Sequence, residues 1–210
     1  MIRVLIADDH PIVRQGLKQI LAEAPDIVVK GEACNGTEAL EKVRTARWDV
    51  VVLDITMPGI SGLDLLKQVK SEQPKLPVLV LSMHPEEQYA VRVLRAGASG
   101  YLTKDSAPDQ LMSAIRKVAK GGRYVSPSLA EQLAYDLDAG SEKPLHKNLS
   151  DREFQVLCLI ASGKTVTEIA EELALSVKTI STYRARLLEK MNMTRTAQLT
   201  NYGIKNGLVS

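Results

Sequence analysis

The feature that most constrains this chain is an alternation in its first 120 residues, where short runs of Val, Ile and Leu are separated by longer amphipathic stretches. Arg3 to Ala7, Ile27 to Ala33, Val50 to Asp54, Val78 to Ser82 and Gly100 to Thr103 have the length and composition of strands. They are apolar on both alternating positions, the pattern of strands covered on both faces in a parallel sheet. Between them, Pro11 to Ala24, Gly36 to Ala46, Ser61 to Glu72, Pro85 to Ala96 and Pro108 to Lys120 have helical spacing. Proline opens the first, where a missing N–H costs nothing, and Gly97 and Gly121 close the fourth and fifth. The alternation predicts an α/β fold, a doubly wound five-stranded parallel sheet covering residues 1–122.

The pattern then changes. Residues 123–146 carry one helical stripe, Leu129, Leu133 and Leu137, followed by AGSEKPLHKN without periodicity, which reads as a short helix and a flexible linker. From 147 to 210 the spacing is wholly helical. Ser150 or Asp151 starts one helix and Gly163 closes it; Thr167 to Leu173, Ser176 to Met191 and Thr196 to Asn206 are three more. A small all-α domain is expected there.

No run approaches the 18 or so apolar residues that span a bilayer, and with the acidic Asp8-Asp9 pair so near the first residue no signal peptide is expected. Cys34 and Cys158 stand far apart with no CxxC, so reduced thiols in a cytoplasmic protein are expected. His10, His84 and His146 are separated in sequence, leaving no HxxxH pair for a metal and no evident base for a serine or cysteine nucleophile. The overall charge of +2 is uninformative. Its distribution says more, since residues 146–210 carry 9 Lys+Arg against 6 Asp+Glu, a balance suited to an anionic partner.

In a parallel α/β sheet, binding groups gather beyond the carboxyl ends of the strands. Asp8 and Asp9 follow the first strand, Asp54 ends the third, Ser82 ends the fourth and Lys104 follows the fifth. Clustered carboxylates repel, and a divalent cation with oxygen ligands and retained waters, Mg²⁺, relieves the repulsion. Asp9 and Asp54 are the expected side-chain ligands, with the Thr56 carbonyl beside them and Asp8 in outer contact. A carboxylate in such a site can take a phosphoryl group, and Lys104 and Ser82 would then bind its oxygens.

DDHP after the first strand, VVLDITMPGISGLDLL, LSMH after the fourth strand and GASGYLTKDSAP together resemble a response-regulator receiver domain, a flavodoxin-like fold. The resemblance implies that Asp54 is the phosphoacceptor, Asp8 and Asp9 the acidic pair, Ser82 the switch hydroxyl, Lys104 the phosphoryl-binding lysine and Tyr101 the switch aromatic. It also implies a sensor histidine kinase as partner. Asp105 stands where many receivers have a cis proline, and a cis bond without proline costs about 2.5–4 kcal/mol. Two other readings of an aspartate on such a sheet are weaker. A phosphohydrolase of the haloacid-dehalogenase kind needs a second aspartate two residues on, where this chain has Thr56. A flavin site needs a Ser, Thr and Gly-rich first loop, where this chain is acidic. Neither accounts for the C-terminal helices, so no enzyme is expected.

TVTEIAEELALSVKTISTYRARLLEKM reads as two helices joined by a turn at Ala174 to Ser176, the spacing of a helix-turn-helix. At 100° per residue, Ile180, Tyr183, Leu187, Leu188 and Met191 share one face, with Lys178, Ser181, Thr182 and Ala185 opposite. Arg184, Arg186 and Lys190 flank the polar face, a balance fitted to a phosphate-lined groove. Lys178, Ser181 and Thr182 are the expected base-edge contacts. LSDREFQVLCLIASGKTVTEIAEELALSVKTISTYRARLLEKM resembles the LuxR-type C-terminal domain. That resemblance implies phosphate contacts from Thr179, Tyr183 and Arg186, and pairing of the last helix in a homodimer. The whole chain resembles a NarL/FixJ-family response regulator, a transcription factor that binds DNA under control of phosphorylation. The alternative is a receiver-controlled adaptor whose helices bind a protein. Ala174 stands where helix-turn-helix turns often have glycine, and Gly203 inside the last helix costs about 1 kcal/mol relative to alanine.

Overall fold

The computed structural model describes residues 1–57, 60, 62–106, 108–127, 129–131 and 144–209, and no backbone or side-chain statement is made for the others. Its contacts divide the chain into two compact units, Met1–Ala134 and Tyr135–Ser210.

The first unit alternates strand and helix as the apolar periodicity requires. Strands β1 (Ile2–Ala7), β2 (Ile27–Ala33), β3 (Val50–Asp54), β4 (Val78–Ser82) and β5 (Gly100–Thr103) pair in parallel in the order β2-β1-β3-β4-β5. Helices α1 (Pro11–Ala22), α2 (Gly36–Thr45), α3 (Gly62–Glu72), α4 (Glu86–Arg95) and α5 (Pro108–Ala119) connect or follow them. Alternate strand residues Val4, Ile6, Val50, Val52, Leu79, Leu81 and Leu102 pack against Leu17 and Leu21 of α1 and Leu111, Ile115 and Val118 of α5. Leu5, Val51, Leu53 and Val80, on the opposite pleat, are equally buried, so the sheet is covered on both faces. The second strand departs from that pattern. At one edge of the sheet it exposes Lys30 and half-buries Val28, Val29, Gly31 and Glu32, whereas β5, at the other edge and bridged by Tyr124, keeps a buried run like β1, β3 and β4.

The chain leaves β1 toward β2 and then returns to the other side of β1 for β3, which places the reversal of strand order between β1 and β3. A crevice opens at such a point, beyond the strand carboxyl ends. Asp8 and Asp54 therefore face one another for a topological reason. Among the described residues no peptide bond is cis, so the Lys104–Asp105 bond is trans, the isomer that a non-proline residue favours.

The segment after α5 stays with the first unit: Tyr124 forms a parallel bridge to Gly100, and Leu129 is buried. Leu133 and Leu137, the rest of the expected linker stripe, lie outside the described residues.

The second unit is helical. After a 3₁₀ turn at Leu145–Asn148 come α6 (Asp151–Ala161), α7 (Val166–Glu172), α8 (Val177–Lys190) and α9 (Thr196–Lys205). Sequence explains their starts. Ser150 and Glu153 form a reciprocal capping box on α6, Thr165 and Glu168 another on α7, and Ser176 caps α8 through the Thr179 amide at 3.0 Å. Phe154, Leu157, Ile169, Ile180, Leu187 and Leu199 form the buried interior.

Two positions in this unit reverse simple propensity arguments. A Cβ on Gly203 would stand 2.3 Å from the Ala161 Cβ, so glycine is what lets α9 cross α6. Ala174, in the turn between α7 and α8, sits at φ 50°, a left-handed conformation that costs an L-residue about 1–2 kcal/mol. Gly203→Ala is therefore expected to destabilise the second unit by about 1–3 kcal/mol, although alanine is the better helix former. Ala174→Gly is expected to be neutral or stabilising by up to about 1 kcal/mol. Amide exchange of the α6 and α9 helices in the full chain measures both, and a stabilised Gly203→Ala chain would contradict the packing argument.

Candidate functional site

The acidic crevice is held by one cation. The Lys104 ammonium, after β5, lies 2.7 Å from Oδ2 of Asp54 and 2.7 Å from Oδ2 of Asp8. All three side chains are buried, with 7 % exposure for Lys104, 0 % for Asp54 and 2 % for Asp8. Burial works against the ammonium, but the two carboxylates outweigh it and hold the lysine above its usual pKa. The Lys104 amide donates to the Ser82 carbonyl at 2.8 Å, which ties the lysine to the end of β4.

The other Asp54 oxygen, Oδ1, accepts from the Thr56 amide at 2.8 Å and the Thr56 hydroxyl at 2.6 Å. Thr56 thus orients Asp54 through its own N–H and side chain. Asp8 is fixed in the same way, its Oδ1 accepting from the His10 amide at 2.8 Å while its carbonyl accepts from Arg14. Asp9 is a quarter exposed at the rim, its Oδ1 3.0 Å from the His10 ring Nδ1. Ligand atoms of Asp8, Asp9, His10 and Asp54 lie within 4.8 Å of one another. Asp9 Oδ1 and Asp8 Oδ2 are buried, the first facing the His10 ring and the second the Lys104 ammonium. Oxygen donors at this density, facing a single lysine, fit a hard divalent cation. His10 was not part of the site expected from sequence, where the three histidines looked isolated. Its adjacency to Asp9 was the available signal.

Ser82 and Tyr101 meet in the β4–α4 loop. Ser82 is fully buried at the end of β4, next to Leu81, which pairs with Asp54, and its Oγ accepts from the His84 amide at 3.1 Å. The Tyr101 hydroxyl donates to the His84 carbonyl at 2.7 Å. Tyr101 is 1 % exposed, and its ring already points inward. The reason is that His84 offers an acceptor within its reach and stacks its own ring on Tyr89 at 4.6 Å.

On the second unit, Ile180, Leu187 and Met191 of the α7–α8 pair are buried, and Tyr183 and Leu188 half-buried. Lys178, Thr182, Ala185 and Arg186 are exposed, with Thr179, Ser181 and Arg184 partly so. The turn spacing of the sequence thus yields a two-sided helix with a polar outward face. Thr182 donates to the Lys178 carbonyl at 3.0 Å, and the Thr179 and Ser176 hydroxyls lie 2.8 Å apart. Two findings adjust the expected face. Lys190 pairs with the buried Glu153 at 2.8 Å, which withdraws it from the outward cations. Val177, at the first position of α8, is 48 % exposed, an apolar group beside Lys178 that sequence reasoning passed over because one valine at a helix start carries no periodic signal.

The sheet with its carboxylate–lysine site and the helix-turn-helix unit define a two-part protein, an acidic α/β module and a helical module in one chain. Residues 4–116 match the response regulator receiver domain family, and residues 147–202 match the bacterial regulatory proteins of the luxR family. Response regulator UvrY of Escherichia coli K12 is 39 % identical over 99 % of this chain and 96 % of its own length. Response regulator GacA of Pseudomonas aeruginosa is 37 % identical over 100 % of this chain and 98 % of its own. RcsB of Salmonella enterica serovar Typhimurium, solved bound to promoter rprA with phosphomimetic BeF3-, matches with TM-score 0.67 and 31 % identity over 96 % of this chain and 97 % of that one. The chain belongs to the NarL/FixJ family of response regulators, which are transcription factors and not enzymes. No helix among the described residues is long and apolar enough to cross a membrane.

Glu153 gives this architecture a testable pH dependence. Burial pushes its carboxyl up, but the Lys190 ammonium and the Ser150 amide and hydroxyl outweigh burial and hold it below the usual carboxylate range. A depressed folded-state pKa contributes stability above the unfolded value, about 4.3, and that contribution is lost as pH falls through the folded value. Acid titration of the full chain should loosen α6 and α8 below about pH 4.3, and Glu153→Gln should flatten that response. An unchanged acid profile in Glu153→Gln would remove this pair from the account.

Proposed function

We propose that Asp54 accepts a phosphoryl group from a phosphohistidine of a sensor kinase or from a small phosphodonor, and that this controls DNA binding by the second unit. The Lys104 bridge carries the reading, because it holds Asp54 and Asp8 in one buried site and supplies a positive charge where phosphoryl oxygens would lie. In the transfer, an Asp54 carboxylate oxygen forms the new O–P bond as the N–P bond to the donor imidazole breaks, and the imidazole leaves with the bonding pair and takes up a proton. Asp54 Oδ1 is held by Thr56 and Oδ2 by Lys104, so the carboxylate plane is fixed before the donor arrives. Lys104 then follows the charge onto the phosphoryl group, and the Ser82 hydroxyl is the donor from the neighbouring strand β4. Asp9, Asp54 and the Thr56 carbonyl, with Asp8 in outer contact, would hold Mg²⁺, which when bound neutralises the carboxylates and the charge on the phosphoryl oxygens. Intact-mass measurement after a small phosphodonor is expected to show one added phosphoryl group, absent in Asp54→Ala and in chelator. Full labelling of Asp54→Ala would transfer the role to Asp8 or Asp9.

DNA is the partner that the outward face of α8 supports best. The matched structure of RcsB on promoter DNA favours this over a protein-binding adaptor. In this reading α8 enters the major groove, Lys178 donates to guanine O6 and N7, Ser181 and Thr182 lie near base edges, and Thr179, Tyr183 and Arg186 meet phosphates. Val177, exposed beside Lys178, adds an apolar surface for a thymine methyl. The 60 % exposed Ile204 on α9 supports pairing of that helix across a two-fold axis, giving a homodimer on two half-sites in the cytoplasm. Lys178→Ala should cost about 1–3 kcal/mol on the preferred duplex and relax its sequence preference, whereas Arg186→Ala should weaken all duplexes alike and lower the salt slope by about 1. Titrations on selected and scrambled duplexes at several salt concentrations separate the two. If both variants keep affinity and preference, α8 is not the recognition helix.

A further inference from the structure

We propose that Ser126 is a positioning residue that reads the phosphoryl site through Glu86 and passes its state to the segment leading out of the first unit, an inference that rests on Asp54 as phosphoacceptor. Beyond α5 the chain returns to the edge of the sheet. The Tyr124 amide donates to the Ser99 carbonyl at 2.8 Å, and Tyr124 bridges Gly100. A Cβ on Gly100 would stand 2.8 Å from the Tyr124 carbonyl oxygen, so only glycine there admits this return strand. Gly100 immediately precedes Tyr101. Two residues beyond Tyr124, the Ser126 hydroxyl donates to the Glu86 carboxylate at 2.5 Å while accepting from the Leu129 amide at 3.0 Å. Ser126 therefore caps the turn that buries Leu129 and holds the first residue of α4 with the same oxygen.

Glu86 is itself tied to the phosphoryl site. Two residues before it, His84 is gripped at both backbone groups: its amide by Ser82 and its carbonyl by Tyr101. When Ser82 turns to donate to a phosphoryl oxygen on Asp54, the His84 amide is drawn with it. The first turn of α4 gives way, because its N-cap residue is Pro85, whose side chain has no group to cap it. Glu86 then leaves Ser126, and the cap at Leu129 loosens. The relay is a chain of hydrogen bonds with two arrangements, the physical requirement for coupling between sites.

Ser126→Asp separates this role from simple capping. Aspartate caps as well as serine, but it cannot donate to Glu86 and repels it. Ser126→Thr keeps both bonds. The full chain is compared with and without beryllofluoride and magnesium, with fluorine NMR confirming bound analogue. Leu129 amide exchange and duplex affinity are then read. In the wild-type chain and Ser126→Thr, the analogue is expected to speed Leu129 exchange and raise affinity within the roughly 5- to 150-fold range of allosteric couplings. In Ser126→Asp, exchange is expected to be fast without analogue, and affinity to lie within about twofold of the analogue-bound wild type in both states, a small fraction of that coupling range. A wild-type exchange rate indifferent to the analogue overturns the proposal, as does a Ser126→Asp chain that responds like wild type or loses affinity in both states. A Ser126→Asp chain that no longer binds analogue overturns it too, since Ser126 would then shape the phosphoryl site itself. A wild-type chain that binds no analogue fails the phosphoacceptor reading, and the relay with it. If the wild type takes up analogue but binds no duplex, DNA is the wrong partner and Leu129 exchange alone decides the relay.

Discussion

A buried ammonium shared between two buried carboxylates is the interaction on which the first unit depends. Lys104 lies at 2.7 Å from both Asp8 and Asp54, and the three come from the ends of three strands. Desolvating these groups is costly, and leaving one of them unpaired in a buried site costs several kcal/mol. One positive group against two negative ones leaves a net negative, oxygen-rich pocket, consistent with a divalent cation. Stability and chemistry thus use the same three residues.

The sheet order makes that pairing possible. Reversal between β1 and β3 brings residues 46 positions apart, Asp8 and Asp54, to neighbouring strand ends, and adds β4 and β5 on the far side with Ser82 and Lys104. Ser82 and Tyr101 then converge on the two backbone groups of His84. The hydrogen bonds of His84 join the end of β4 and the middle of β5 to the start of α4, and Tyr124 returns to Gly100 at the start of β5.

The second unit solves a different problem. Its four helices have little area to bury, so local devices matter: reciprocal caps at Ser150 and Thr165, the Glu153–Lys190 pair joining the start of α6 to the end of α8, and the α6–α9 crossing at Gly203. With Glu153 fixing the end of α8, the opposite end of that helix, Ser176 to Thr182, is left exposed and polar. A helix held rigidly by one face and one end presents the other with little loss of entropy on binding.

Much of this was legible in the sequence because periodicity and caps are local. The strand and helix ranges, the position of the acids at strand ends and the inward face of α8 all follow from residue spacing, with boundaries shifted by one or two residues where helix ends fray. The expected roles of Asp54, Ser82 and Lys104 came from their placement at strand ends and from motif resemblance, and no spacing rule brings the Lys104 ammonium within 3 Å of Asp54. What only the tertiary structure decided were matters of contact between distant segments: β2 at an edge, the His10 ring beside Asp9, Tyr101 already inward on His84, Lys190 withdrawn by Glu153, and Gly203 required by Ala161. Each depends on which atoms meet across the fold. A sequence records the period of a side chain along its own element, and the distance between elements is set only when they pack.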